Sequence, residues 1–225
     1  MDGHPKLSRW KSIRKFLHLV PYLFLISFST FQYGFNQGVV NGAHKAITEC
    51  TLPSHQANSF FRDCIPMGTL EWSLVVSAMN LGGVVSSIIA PFLSERISRN
   101  LTLYFSNFLN LLGVFLMCCF STVGTLIAGR FFVGMAAGSY YAVLSVYLVE
   151  ISHAKARAYA GSFFGIGVTL GLFTQAILSI FLANPGFQWR ILMGGSLIGT
   201  IIQLLCLPVL HKSPRFLFLR YVRQS

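Results

Sequence analysis

The chain has 225 residues, 54% of them hydrophobic, with 17 Lys and Arg against 6 Asp and Glu and a mean hydropathy of +0.63. So few charges cannot cover a soluble core of this size, which argues against an ordinary globular enzyme and for a polytopic membrane protein. The net charge of +11 does not bring nucleic acid back as a partner, because the basic residues are scattered between long apolar runs rather than gathered on one polar face.

Residues 1–15 carry Lys6, Arg9, Lys11, Arg14 and Lys15 ahead of an apolar run, which is how a signal peptide begins. The run continues to about Val40 without a small-residue cleavage site, so 1–15 reads as a basic N-terminus and 16–41 as a first transmembrane helix that is retained. Gln32, Asn36, Gln37 and Asn41 crowd into ten residues of this helix. Tyr33, Gln37 and Asn41 are each one turn apart and share a face, while Asn36 lies about 100° away. Polar side chains at this depth must pair with other helices or line a watery cavity.

A polar loop follows, holding Cys50 and Cys64, a pair available for a disulfide if the loop faces an oxidising compartment. Five more apolar runs come next, at about 70–93, 101–122, 124–149, 159–183 and 190–210, each long enough to span a bilayer. In the fourth, nineteen uncharged residues separate Arg130 from Glu150, roughly 28 Å of helix. Gly134 and Gly138 sit four apart there, a spacing that lets a second helix approach closely. Cys118, Cys119 and Cys206 lie inside apolar runs and read as packing residues. Trp10, Trp72 and Trp189 fall near helix ends, where interfacial anchors are expected. Residues 211–225 form a basic stretch with no terminator of its own, the expected start of a cytoplasmic linker.

Counting Lys and Arg in the connections puts thirteen of seventeen on one side, so both termini are expected in the cytoplasm. No zinc spacing, phosphate loop, dinucleotide fingerprint or catalytic triad stands out, so neither a metal nor a cofactor is expected.

Four segments, in order, resemble the sugar porter family of the major facilitator superfamily. FQYGFNQGVVNG, from Phe31 to Gly42, is similar to the first-helix F-G-Y-(N/D)-x-G-x-(V/I)-(N/S) pattern. LGGVVSSIIAPFLSERISRN, from Leu81 to Asn100, resembles G-G…G…(D/N)-R-x-G-R-R, with Glu95, Arg96 and Arg99 matching and Ser98 and Asn100 departing. From Gly129 to Arg157 the G-R-x3-G-x3-G…P-x-Y-x2-E-x-(S/A)-P…R-G pattern is met by Gly129, Arg130, Gly134, Gly138, Tyr147, Glu150, Ser152 and Arg157, while Ser145, His153 and Ala158 depart. Ser213, Pro214 and Arg215 keep the end of P-E-S-P-R, with Lys212 in place of its glutamate.

The resemblance implies an all-α membrane protein whose six transmembrane helices form the N-terminal half of a major facilitator fold. The partners implied are the lipid bilayer, a C-terminal six-helix half beyond this chain, and a small-molecule sugar or polyol. Tyr33, Gln37 and Asn41 are the implied sugar contacts from the first helix, with Val168 and Leu172 as apolar neighbours from the fifth. The family's fifth-helix glutamine falls on Gly165, which has no side chain to donate or accept. Asn36, where proton-coupled relatives carry an aspartate facing the arginine matched by Arg130, favours facilitated diffusion, since an amide has no titratable proton. Arg96, Arg99, Glu150 and Arg157 resemble the family's cytoplasmic charge latch. The function implied is facilitative transport of a hexose or related polyol by alternating access, in the plasma membrane or an internal one. The alternative is a truncated or divergent transporter-like protein with a sensing, regulatory or assembly role.

Overall fold

A computed structural model describes residues 5–48, 65–151, 154–182 and 188–209, all in helices and short connections. Six α-helices follow one another: α1 Pro5–Thr48, α2 Thr69–Arg96, α3 Arg99–Cys119, α4 Val123–Ile151, α5 Ala154–Leu182 and α6 Gln188–Cys206. Among the described residues, α2 to α6 each contain a stretch long and apolar enough to cross a membrane. The described part of α1 carries Gln32, Asn36, Gln37, Asn41, His44 and Lys45, the polarity that distinguishes it from the other five.

The helix ends follow local chemistry. Pro5 occupies the first position of α1, where the missing N–H costs nothing. Ser98 caps α3 by accepting from Leu101 N at 3.2 Å. Thr122 and Thr125 exchange backbone-to-side-chain bonds at 3.2 and 3.3 Å to start α4. α6 stops at Cys206 and passes into a 3-10 turn around Pro208, whose missing N–H removes one α-helical bond, short of the 210 expected from hydropathy.

The largest departure from expectation is α1, which runs to Thr48 rather than ending near 41. Gly42, His44 and Lys45 look like loop residues, but Ala43, Ala46 and Ile47 recur on one face and are buried against the bundle. That inward face carries the helix seven residues further.

Contact registers give the topology. α1 and α5 run parallel, with Thr30 beside Gly167, Gly34 beside Val168 and Gly38 beside Gln175. α2 and α4 also run parallel, with Met79 beside Gly134 and Gly83 beside Gly138. α3 lies antiparallel to α4, and α6 antiparallel to both α1 and α3. The parallel pairs are the tightest seams: Gly134 approaches the Met79 carbonyl so closely that a Cβ would lie 2.0 Å from its oxygen. Without a hydrophobic drive between helices in lipid, this backbone proximity supplies dispersion contact that larger side chains would block.

Trp189 departs from the expected interfacial role. It is 0% exposed, with the Arg190 guanidinium 4.6 Å from its ring centroid. Arg190 in turn donates through Nη1 to the Cys118 carbonyl and through Nη2 to Ser121 Oγ at 2.6 Å, satisfying an orphan acceptor at the C-terminus of α3. Cys118, Cys119 and Cys206 are half-buried and unbonded, as packing residues would be.

Candidate functional site

The polar run of α1 divides by face. Gln32 and Asn36 point into the bundle, whereas Tyr33 and Gln37 are half-buried and Asn41 is exposed. The inward amides meet polar residues of α3 and α6. Gln32 Nε2 donates to Thr200 Oγ1 at 2.7 Å, Asn110 Nδ2 donates to the same hydroxyl at 2.7 Å, and Thr200 Oγ1 donates to the Ser196 carbonyl at 2.9 Å. The hydroxyl thus uses both lone pairs and its proton. Asn36 Nδ2 reaches Asn110 Oδ1 at a long 3.5 Å, and about one turn beyond Thr200 on α6 Gln203 Nε2 donates to Ser29 Oγ at 2.8 Å. None of Asn110, Thr200 and Gln203 emerges from the sequence reading. The signal for Thr200 and Gln203 was present in their spacing with Ser196 along one face of α6.

Arg130 is 2% exposed, and the structure brings it to Asn36 through the main chain: Nη1 donates to the Asn36 carbonyl at 2.7 Å and touches Met79 Sδ at 3.3 Å. Nε and Nη2 have no acceptor among the described residues. Among the described residues the acidic ones are Glu71, Glu95 and Glu150, and all three lie in the terminal turns of their helices. Among the described residues the buried guanidinium is therefore met by the Asn36 main-chain carbonyl and the Met79 sulfur rather than by a carboxylate.

A cleft of about 430 Å³ shares Met79 with the Arg130 contact and is lined from α1 by Tyr33, from α2 by Asn80 and Ser87, and from α4 by Gly134, Tyr141 and Ser145. Tyr33 is the one sequence-derived substrate candidate that lines it. Gln37 and Asn41 sit further along the same face of α1. Val168 and Leu172 lie in the α1–α5 seam, the Val168 carbonyl against Gly34 and Leu172 against Gly38. Gly165 is exposed, and a Cβ there would have nothing within 4 Å. Gln175 is buried with its carboxamide in the notch of Gly38 and Gly42, so it faces the seam and not the space at Gly165.

Arg96 ends α2 and Arg99 begins α3, the former exposed and the latter half-buried. Glu150 lies in the last turn of α4 and Arg157 in the first turn of α5, but their side chains lie outside the described residues, as do Cys50, Cys64 and the stretch from 210 to 225.

Comparison with known proteins places this architecture. Residues 22–224 match the family described as Sugar (and other) transporter. Human solute carrier family 2, facilitated glucose transporter member 9, is 33% identical over 198 residues, covering 85% of this chain and 36% of that protein. The Caenorhabditis elegans facilitated glucose transporter protein 1 is 28% identical over 198 residues, covering 86% of this chain and 39% of its own length. Mouse solute carrier family 2 member 4 is 28% identical over 230 residues, covering 97% and 43%. The chain thus spans well under half the length of these relatives. Among solved structures, the proton:xylose symporter XylE bound to 6-bromo-6-deoxy-D-glucose superposes with a TM-score of 0.72 at 17% identity, over 90% of this chain and 47% of that one. A partially occluded inward-open XylE from E. coli gives 0.71 at 16% identity, over 90% and 52%. The helices and the fold make this a multi-pass integral membrane protein, and the match over nearly its whole length makes it a member of the sugar (and other) transporter family.

Proposed function

We propose that the chain is the N-terminal half of a facilitative carrier of hexoses or related polyols, which works by alternating access against a second six-helix half. The observation that carries the uncoupled mode is the environment of Arg130. Its Nη1 is bound by a main-chain carbonyl of Asn36, whose side chain is an amide, and among the described residues no carboxylate faces it. A carboxylate there alternates between pairing with the arginine and carrying a proton; an amide does neither. The names of the sequence relatives, facilitated glucose transporters, agree with this reading.

In the same reading, Tyr33, Gln37 and Asn41 contact the solute, with Val168 and Leu172 as its apolar neighbours. Arg96, Arg99, Glu150 and Arg157 latch the cytoplasmic face, where arginines hold a carboxylate bidentately. Both termini are cytoplasmic, the plasma membrane is the site of action, and Cys50 and Cys64 bridge the first outer loop. Gly165 favours the second reading, a transporter-like protein that carries nothing, because the position supplies no side chain to a sugar hydroxyl.

Uptake of radiolabelled hexoses and polyols by the full-length protein, expressed in cells lacking hexose carriers, separates the two. Saturable uptake without a solute-induced current is expected, and Asn36→Asp is expected to make uptake depend on external pH. An inward proton current in the wild-type protein refutes the uncoupled mode. No uptake of any solute in the panel supports the second reading.

A further inference from the structure

We infer that Asn80 of α2 and Tyr141 of α4 contact the solute, forming a subsite for an uncharged, hydroxylated ring in which the amide binds hydroxyls and the tyrosine ring takes the apolar face. This rests on the transport reading above and assigns residues that the sequence patterns do not.

The exposed surface of α2 has two different faces. Ser73, Asn80 and Ser87 are seven apart, so each is rotated only about 20° from the last. The most exposed large apolar residues, Leu70, Leu74, Leu81, Ile88 and Phe92, lie on an arc about 80–120° away that is suited to lipid, while Val76 and Val84 flank the polar stripe about 40° to either side. Ser73 and Ser87 can face either environment, because their hydroxyls donate to the carbonyls of Thr69 and Val84, both at 2.9 Å. The Asn80 carboxamide has no such internal partner among the described residues, yet it is exposed in mid-span. An amide left in hydrocarbon is costly, so this face of α2 is turned away from lipid, toward water, a polar solute or the second half.

The cleft fits such a solute. None of its lining residues is charged, which disfavours ions. Ser87 and Ser145 spend their protons on the carbonyls of Val84 and Ala142, leaving the Asn80 amide, alongside the phenol hydroxyls of Tyr33 and Tyr141, able both to donate and to accept, which is what a sugar hydroxyl requires. Tyr141 is 47% exposed and is held edge-on by Tyr33, 5.9 Å away, and by Phe164, 4.7 Å away. A ring fixed on two sides offers a contact surface with little rotamer entropy left to lose. At about 430 Å³ the cleft is in the range of small-molecule sites.

The test uses the full-length protein. Asn80→Cys is expected to react with a hydrophilic, membrane-impermeant thiol reagent, well above the background from the native cysteines, and D-glucose is expected to slow that reaction. No reaction, or reaction that no sugar in a panel of pyranoses slows, overturns the inference whether or not the protein transports. In uptake assays, Asn80→Ala is expected to raise KM about three- to tenfold, the equivalent of one lost hydrogen bond, with surface expression unchanged. Tyr141→Ala is expected to raise KM for pyranoses more than for acyclic polyols, and Tyr141→Phe to change neither. Wild-type uptake with KM unmoved by both alanine variants refutes the subsite alone. Sugar protection of Asn80→Cys without wild-type uptake refutes transport and leaves the subsite standing.

Discussion

The Gly134 seam predicts that one added methyl group has opposite effects at two glycines. At Gly134 a Cβ would lie 2.0 Å from the Met79 carbonyl oxygen, while ordinary contact begins at 3.4 Å, a shortfall of about 1.4 Å. Both partners are helix backbone, so no side chain can swing aside and α2 must move from α4. That movement also loosens the neighbouring contacts, where a Cβ on Gly82 would meet the Phe131 carbonyl at 2.1 Å and one on Gly138 the Gly83 carbonyl at 2.3 Å. Overpacking of this kind costs about 1–3 kcal/mol, and a rigid backbone clash belongs at the upper end. Alanine recovers up to about 1 kcal/mol of helix propensity, leaving Gly134→Ala about 2 kcal/mol destabilised. Gly165→Ala earns the same propensity with nothing within 4 Å to obstruct it, so it is expected to be neutral or slightly stabilising. The difference between the two variants cancels the propensity gain and isolates packing, at about 3 kcal/mol. Unfolding of the purified protein in detergent, followed by tryptophan fluorescence, measures both. Equal stabilities for Gly134→Ala and Gly165→Ala would show that the α2–α4 approach is not as close as described.

Thr200→Val keeps the shape of the side chain but leaves two amide donors, from Gln32 and Asn110, without their shared acceptor. At about 0.6–2 kcal/mol for each interhelical bond, a loss of about 1–4 kcal/mol is expected in a denaturant titration, with Thr200→Ser nearer wild type; equal losses for the two variants would count against the network. Arg190→Lys replaces a fork with a single ammonium that cannot serve the Cys118 carbonyl and Ser121 together. It is expected to cost about 1 kcal/mol and to speed amide exchange at Phe120–Thr122, and an unchanged exchange rate there would refute the clamp.

Much of the architecture was legible in the chain itself, because in a bilayer hydropathy and backbone satisfaction leave little choice but spanning helices. Six apolar runs became six helices, and the one-turn spacing of Tyr33, Gln37 and Asn41 separated them from inward-facing Asn36. The order of the glycine and charge motifs was enough to indicate the family. What hydropathy misread were the places where a neighbour, rather than composition, decides. Polar residues 42–48 stay helical because Ala43, Ala46 and Ile47 pack inward, and Trp189 is buried because Arg190 is pinned across it to α3.

The site divides in the same way. Asn36 and Arg130 were paired by motif, yet only the fold shows that the guanidinium binds the Asn36 carbonyl rather than its amide. Asn110 and Thr200 are unremarkable residues of apolar runs until α3 and α6 carry them to α1. Asn80 and Tyr141 are likewise ordinary in sequence and meet at one cleft only because bare glycine backbone draws α2 against α4. Sequence by itself determined which segments form long apolar helices and which family they belong to, since both depend on composition and spacing along one chain. Tertiary structure alone decided which polar groups satisfy one another and which remain open to a solute, since those are distances between helices far apart in sequence.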